Sequence, residues 1–260
     1  MSDRFKKKTG PSVFVMALLV AAIAGWATPR AFGDSLSGSY FSVSQTTPDF
    51  TQKGSDTGIV TGLVESHLGP DGLPVVSSYG ANYSGASGAL TNVNSKGELQ
   101  WWTAGNGVTF LKAESDTLPL GPSHNFYVPG QANDNSAFLT ATWNGTFDLS
   151  SAQDATFSIS SDDDGWVFID GNLVDDAGGI HSIMSSGDHT VNLAAGTHTI
   201  NIFFADRHTH QAGIAFDASP NVHFKDPPPV PEPSSFLLLG TALGALGLLL
   251  WKRQTAGESV

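Results

Sequence analysis

The chain has 260 residues, among them 29 glycines, 14 prolines and no cysteine, and its 12 Lys+Arg against 24 Asp+Glu give a net charge of −12. Without cysteine there is no disulfide framework, no Cys-ligated metal site and no thiol nucleophile. The acidic balance argues against binding to nucleic acid or to an anionic membrane surface, because either partner requires a basic face. Only 14% of the residues are charged and 40% are hydrophobic, so the chain is not a charge-driven disordered protein.

Residues 1–33 have the three parts of a secretory signal peptide. Four basic residues lie within the first eight positions, a mostly apolar run extends from Val13 to Trp26, and small residues flank Phe32 at the end of the segment. The run is shorter than the about 20 residues that a membrane span requires. We therefore predict export with removal of this segment; an uncleaved anchor helix is the alternative.

The other end of the chain predicts a membrane helix. Residues 225–235 form a proline-rich linker, which favours an extended backbone. Residues 236–251 carry no charge and are followed at once by Lys252 and Arg253. An apolar segment that ends in two cations is typical of a membrane stop with its basic end in the cytoplasm. We predict a transmembrane sorting helix over residues 236–253 and a cytoplasmic tail over residues 254–260.

The tripeptide Pro231, Glu232 and Pro233, the apolar helix and the basic pair Lys252 and Arg253 resemble, in this order, the PEP-CTERM sorting signal. That resemblance implies an exosortase as partner, in the inner membrane of a Gram-negative bacterium that produces exopolysaccharide. It also implies transient anchoring in the membrane, removal of the helix, and release or attachment at the cell surface. A plain C-terminal anchor is the alternative.

Between these ends, residues 34–224 are predicted to form one all-β domain. Residues 34–230 hold five Lys+Arg and 21 Asp+Glu, so this part is more acidic than the whole chain. Apolar and polar residues alternate in residues 155–159 and 199–204, which is typical of half-buried strands. Asp170-Gly171 after an apolar run indicates a hairpin, and residues 58–64 are a further strand candidate. The spacing predicts a sandwich or a barrel.

The stretch from Ser161 to Val174, with its run Asp162-Asp163-Asp164 and its Ile169-Asp170-Gly171, resembles the core of fibro-slime domains, which are related to the PA14 β-sandwich or barrel. Further motifs agree in order, at residues 48–75, 176–181 and 202–208. The resemblance therefore covers about residues 38–224 and implies a PA14-like fold for this part of the chain.

The three successive aspartates suggest a cation. Neighbouring carboxylates repel one another unless a cation compensates them, and Ca²⁺ prefers six to eight oxygen ligands. The resemblance implies Ca²⁺ at Asp162 and Asp163, where sugar-binding PA14 relatives hold an ion that also coordinates ligand hydroxyls. Asp164 stands where those relatives usually have glycine. The alternative is a solvated acidic turn.

Other side chains are weaker candidates for ligand binding. Asp164 belongs to the same run, and Asp176 and His181 flank Gly178-Gly179 in the loop that would follow the hairpin. Turn positions alone would also explain the last two. Arg207 follows Asp206 at the end of an apolar strand, where it either binds a ligand or pairs with a nearby acid. Two further interpretations stay open: a transition-metal pair or a polar strand end at His208 and His210, and a sugar-stacking face or core packing at Trp101 and Trp102.

Three functions remain. The first is a surface or matrix adhesion protein that binds glycan or exopolysaccharide, with Ca²⁺ as its cofactor. The second is a structural surface protein that contacts other proteins and has no sugar site. The third is a hydrolase, for which the chain offers neither a Gly-x-Ser-x-Gly elbow nor a His-Glu-x-x-His helix. We therefore expect a protein that is not an enzyme.

Overall fold

The computed structural model describes residues 34–50, 56–85, 88–121 and 125–225, all within the second of two compact units, residues 33–260. The predicted signal peptide, sorting residues, transmembrane helix and cytoplasmic tail lie outside the described residues, as does the linker after residue 225. No helix in the described ranges is long and apolar enough to cross a membrane. The predicted boundaries between these segments stay predictions.

The described chain is almost entirely β-structure, which confirms the all-β prediction. It contains twelve strands and one helical turn. In chain order these are β1 Ser35–Ser44, β2 Val64–Leu68, β3 Pro74–Val76, α1 Ser78–Ala81, β4 Val108–Thr117, β5 Ala137–Leu149, β6 Gln153–Asp162, β7 Asp164–Ile169, β8 Asn172–Ala177, β9 Met184–Ser185, β10 His189–Leu193, β11 Gly196–Ala205 and β12 Gly213–Ala218.

The strands form two antiparallel sheets. The larger sheet has eight strands in the order β3-β2-β8-β7-β11-β5-β1-β4. The smaller sheet has the order β10-β6-β12, and β9 also pairs with β6. The chain passes from the small sheet to the large one between Asp162, the last residue of β6, and Asp164, the first residue of β7. The run Asp162-Asp163-Asp164, called the acidic motif below, therefore lies where the two sheets are joined.

The larger sheet is covered on both faces at one end. On β11, Ile200, Ile202 and Phe204 face a core that they share with β6 and β12 of the smaller sheet. Phe203 and Ala205 point the opposite way, into a second core covered by residues between Phe50 and Trp102. Because side chains alternate along a strand, one strand supplies both cores. Trp101 and Trp102 lie buried in the second core, so packing accounts for them.

The turn between β7 and β8 has the predicted form. Asp170 and Gly171 both have positive φ, 50° and 75°, as a two-residue hairpin turn requires. The strand predicted over residues 58–64 is wrong, because β2 begins only at Val64. The preceding segment is a loop with positive φ at Gly58 and Gly62. Its Val60 N–H donates to the Gly178 carbonyl at 2.6 Å, so it is held by the loop after β8.

The first and last described residues both lie near the same end of the central strands. Lys225 N–H donates to the Thr146 carbonyl in β5 at 2.8 Å, and His223 Nδ1 lies 3.5 Å from Asp34 Oδ2. The acidic motif lies at the other end of the central strands, since Asp164 pairs with Ala205 of β11 and Ala205 pairs with Thr140 of β5. At about 3.3 Å per residue, Thr140 and Thr146 are about 20 Å apart along β5.

Candidate cation site

The acidic motif and the end of β11 lie side by side. Asp162 pairs with Gly213 of β12, and Asp164 pairs with Ala205 of β11. The residues that follow Ala205, Asp206 and Arg207, therefore lie next to the aspartate run although more than 40 residues separate them in sequence. The peptide bond between Asp162 and Asp163 is cis. All three aspartates of the motif are buried.

Asp164 forms a buried ion pair with Arg207. The guanidinium donates through Nε to Asp164 Oδ2 at 2.5 Å and through Nη2 to Oδ1 at 3.1 Å, and both side chains have 0% exposure. Gly179 N–H also donates to Asp164 Oδ1, and the guanidinium carbon lies 4.9 Å from the centre of the Trp101 ring. Asp164 and Arg207, which were both candidates for ligand binding, therefore bind each other, and neither side chain reaches solvent.

Asp163 is held by backbone donors. Its Oδ1 accepts from His181 N–H at 3.0 Å and its Oδ2 accepts from Arg207 N–H at 2.8 Å. Burial raises the pKa of Asp163 well above its usual range, and the adjacent Asp164 carboxylate raises it further. A carboxylate oxygen has more than one acceptor direction, so these two bonds fix the orientation of Asp163 without using all of its lone pairs.

Asp162 is the third buried carboxylate of the motif. Burial raises its pKa to about 7, the His181 ring lowers it, and the carboxylates of Asp134 and Asp56 add to the increase. Arg207 does not offset this charge, because its guanidinium binds Asp164. Among the described residues, Arg207 is the one lysine or arginine whose side chain is buried. A cation bound at Asp162 would relieve the repulsion.

Asp176 and His181 have supporting contacts. Asp176 accepts from Trp166 Nε1 at 2.8 Å and from Gly62 N–H at 2.7 Å, which ties β8 to the loop before β2. The His181 ring is buried, with Nε2 at 3.1 Å from the Ala177 carbonyl and Nδ1 at 3.0 Å from the Ser182 carbonyl. Both side chains hold the loop after β8 in place, and only the His181 backbone contacts the acidic motif.

The structure adds residues that the sequence did not reveal. Asp134, in the loop before β5, is buried although no motif surrounds it. The half-buried Tyr127 lies nearby: burial raises its pKa, and the carboxylates of Asp134, Asp206 and Asp162 raise it further. The surrounding Gly-, Asn- and Asp-rich sequence predicts only a loop, so the single signal for Asp134 was its charge.

The two imidazoles of His208 and His210 are stacked, with ring centres 4.9 Å apart and planes inclined by 16°. Burial raises the pKa of Asp134, and the two imidazoles lower it by a smaller amount. Within the described ranges, no three His, Asp or Glu side chains already converge on one metal position. Binding a cation among these carboxylates would therefore require at least one of them to turn inward.

Comparison with known families finds both parts of the expected resemblance. Residues 124–225 match the PA14 domain, and residues 229–254 match the PEP-CTERM protein-sorting motif. The PA14 match begins before β5 and ends at the last described residue, so it includes the acidic motif and the end of β11. None of the comparisons gives the name fibro-slime, which stays a prediction.

Curated relatives are found in Dictyostelium discoideum. Protein psiF is 24% identical over 215 residues, which cover 66% of this chain and 30% of psiF. Protein psiD is 27% identical over 204 residues, covering 69% of this chain and 40% of psiD. The chain thus spans less than half the length of either relative.

Comparison with solved structures finds two adhesin domains. A PA14 sugar-binding domain from an RTX adhesin is 13% identical with a TM-score of 0.36, covering 74% of this chain and 94% of that domain. An epithelial adhesin A domain from Candida glabrata, crystallised with Galβ1-4GlcNAc, is 11% identical with a TM-score of 0.38, covering 75% and 85% of the two chains.

Proposed function

We propose that this chain is an exported surface protein whose β domain binds glycan through a Ca²⁺ ion held by Asp162 and Asp163. The observation that carries the proposal is the buried pair of carboxylates at the junction of the two sheets, beside an arginine that is already paired with Asp164. The PA14 match over the same residues supports it. The proposed role is binding and not catalysis.

The chemistry of the donors fits a hard cation. Ca²⁺ is bound by carboxylate and carbonyl oxygens and tolerates irregular geometry. Asp163 is oriented by two backbone donors, which prepares it as a ligand, whereas the Asp162 carboxylate has an excess of nearby negative charge. A bound Ca²⁺ would supply the positive charge that this site lacks and could coordinate hydroxyls of a sugar.

A thermal melt tests the calcium claim. We expect millimolar Ca²⁺ to raise the melting temperature of the exported protein and EGTA to reverse the increase, because a ligand that binds only the folded state stabilises it by mass action. Asp162→Asn should abolish the response, whereas Asp217→Asn, the same change at an exposed position of β12, should keep it. Identical wild-type melts in Ca²⁺ and EGTA would sink the proposal.

A glycan array tests the ligand. Wild type and Asp217→Asn should bind the same glycans in Ca²⁺ and lose them in EGTA, whereas Asp163→Asn should bind none. Equal glycan binding by Asp163→Asn would show that the sugar contacts another part of the domain. It would leave the thermal result for Ca²⁺ unaffected.

The tail supports the surface location. The PEP-CTERM match includes Pro231, Glu232, Pro233, Lys252 and Arg253, and we propose that an exosortase in the inner membrane of a Gram-negative bacterium removes the helix. Mass spectrometry of the mature protein should therefore find no peptide from residue 236 onward. The Glu232→Ala variant should keep its tail and stay in the membrane fraction. Intact Lys252 and Arg253 in mature wild type would contradict the proposal.

A further inference from the structure

Two more carboxylates near the motif are buried, and each has one oxygen without a hydrogen-bond partner among the described residues. Asp206 has 0% exposure and Asp134 has 3%. In each, the Oδ2 atom is shielded from solvent and accepts no hydrogen bond from the described residues. A buried carboxylate oxygen without a donor is costly, because it has lost its water and gained nothing in exchange. Such atoms indicate a missing partner at this position.

Backbone contacts place Asp206 against the proposed calcium ligands. The N–H of the next residue, Arg207, donates to Asp163 Oδ2 at 2.8 Å. The Asp206 N–H donates to the Leu139 carbonyl at 3.0 Å, at the start of β5. Asp206 is thus held between the acidic motif and β5.

Asp134 approaches from the loop before β5. Gln45 Nε2 donates to its backbone carbonyl at 3.0 Å, which fixes this part of the loop. Burial is the main cause of a raised pKa at both Asp162 and Asp206, and the Asp134 carboxylate raises each of them further. Residues 129–136 lie outside any strand, so turning Asp134 inward would break no sheet hydrogen bond.

Together with Asp162 and Asp163, these two side chains make four carboxylates beside a single bound ion. Arg207 cannot balance them, since its guanidinium binds Asp164. The nearest other groups able to carry positive charge are the imidazoles of His181, His208 and His210, and the first of these lowers the pKa of Asp162. One divalent cation would therefore leave a net negative charge in the site.

We infer that Asp134 and Asp206 are further ligands of the cation bound at Asp162 and Asp163, and that the glycan received there is neutral. The inference rests on the proposed function. Residual negative charge repels uronate and sulfate groups but does not oppose a neutral sugar, whose hydroxyls coordinate Ca²⁺. Tyr127, which is partly buried against the first core, lies near the same carboxylates.

Calorimetric titration of Ca²⁺ into the exported protein, freed of metal with EGTA, tests the ligand set. We expect Asp206→Asn and Asp134→Asn each to raise the Kd for Ca²⁺ by about tenfold or more, and Asp217→Asn to leave it unchanged. Melts in EGTA report folding independently. There the two site variants should melt no lower than wild type, because each removes a buried, unpaired charge.

The possible failures are separable. If wild type and both variants bind Ca²⁺ equally while Asp162→Asn does not, the added ligands are wrong and the proposed function stands. If wild type binds no Ca²⁺, the proposed function falls. If Asp206→Asn melts at a lower temperature than wild type in EGTA, Asp134→Ala, a substitution in the loop before β5, provides the second calcium titration. On a glycan array, neutral glycans should give the signals, and a preference for uronates or sulfated glycans would overturn the assigned ligand.

Discussion

At the scale of single residues, one carboxylate of the acidic motif forms an ion pair and the other two do not. Asp164 faces Arg207 and is bound by a fork of two hydrogen bonds, a geometry that guanidinium and carboxylate share. Asp162 and Asp163 remain on the side of Asp206 and Asp134. The ion pair thus fixes the position of the end of β11, and in our proposal the other two carboxylates bind the cation.

Breaking this pair should be costly. Removing one partner leaves a buried, uncompensated charge, which typically costs about 3–5 kcal/mol. We therefore expect Arg207→Met to lower the free energy of unfolding by about that amount in urea melts. Lys96→Met is the matched control, because the Lys96–Asp71 pair is exposed to solvent and its loss should change stability little. Equal effects of the two substitutions would contradict a stabilising role for the buried pair.

The sequence could not assign these roles. It located the motif and marked Asp162 and Asp163 by resemblance, and it offered Asp164 as a ligand-binding candidate. For Arg207 it left open a ligand contact or a pairing with a nearby acid, and the structure shows the pairing without the sequence having named the partner. The pairing of Asp164 with Arg207 depends on strand register between β7 and β11, which no local pattern encodes. Asp134 could not be predicted either, because an acid in a polar loop gives no sign of burial in the sequence.

At the scale of elements, two turns are joined by a histidine. The His198 ring at the start of β11 lies with Nδ1 2.6 Å from Asp170 Oδ2 in the β7–β8 turn, and with Nε2 2.9 Å from the Ala194 carbonyl. The hydrogen bond to Asp170 is the main cause of a raised pKa at His198. Asp148, which pairs with Lys225, is the other carboxylate that favours the charged ring.

The raised pKa predicts a pH dependence. The charged ring is stabilised in the folded state, so its contribution is fully present below the unfolded pKa of about 6.5 and is lost as pH rises through the higher folded value. The stability difference between wild type and His198→Gln should therefore shrink with rising pH across that window in urea melts. His67→Gln, at an exposed position of β2, should show no such trend. A difference that grows with pH would contradict this assignment.

Alternation predicted the elements better than it predicted loops. The patterns at residues 155–159 and 199–204 fall within β6 and β11, and Asp170-Gly171 forms the expected turn. The strand prediction for residues 58–64 failed because this segment is held in another way. The Val60 backbone is hydrogen-bonded to the loop after β8, Val60 and Leu63 pack in the second core, and Ile59 packs against the first. Apolar content alone does not distinguish a strand from a loop pressed onto a core.

At the scale of the molecule, the PA14 match covers residues 124–225 and the match to the PEP-CTERM sorting motif follows it at residues 229–254. The PA14 resemblance could be predicted from the sequence because the run Asp162-Asp163-Asp164 and the later Ile169-Asp170-Gly171 stand in the order of that family's motifs. The larger sheet needs two cores, and residues between Phe50 and Trp102 cover the second; the later part of that segment, from residue 79 onward, fitted the resemblance least well.

The position of Lys225 has a mechanical consequence. Whatever follows this residue leaves the domain beside Thr146, whereas the proposed ligand site lies beyond Thr140, at the other end of the same strand. Tension between a ligand held at Asp162 and the chain after Lys225 would therefore be carried by β12, which begins beside Asp162 and leads to Lys225. The six residue pairs between β6 and β12 would be loaded together in shear, and would not be peeled apart one by one.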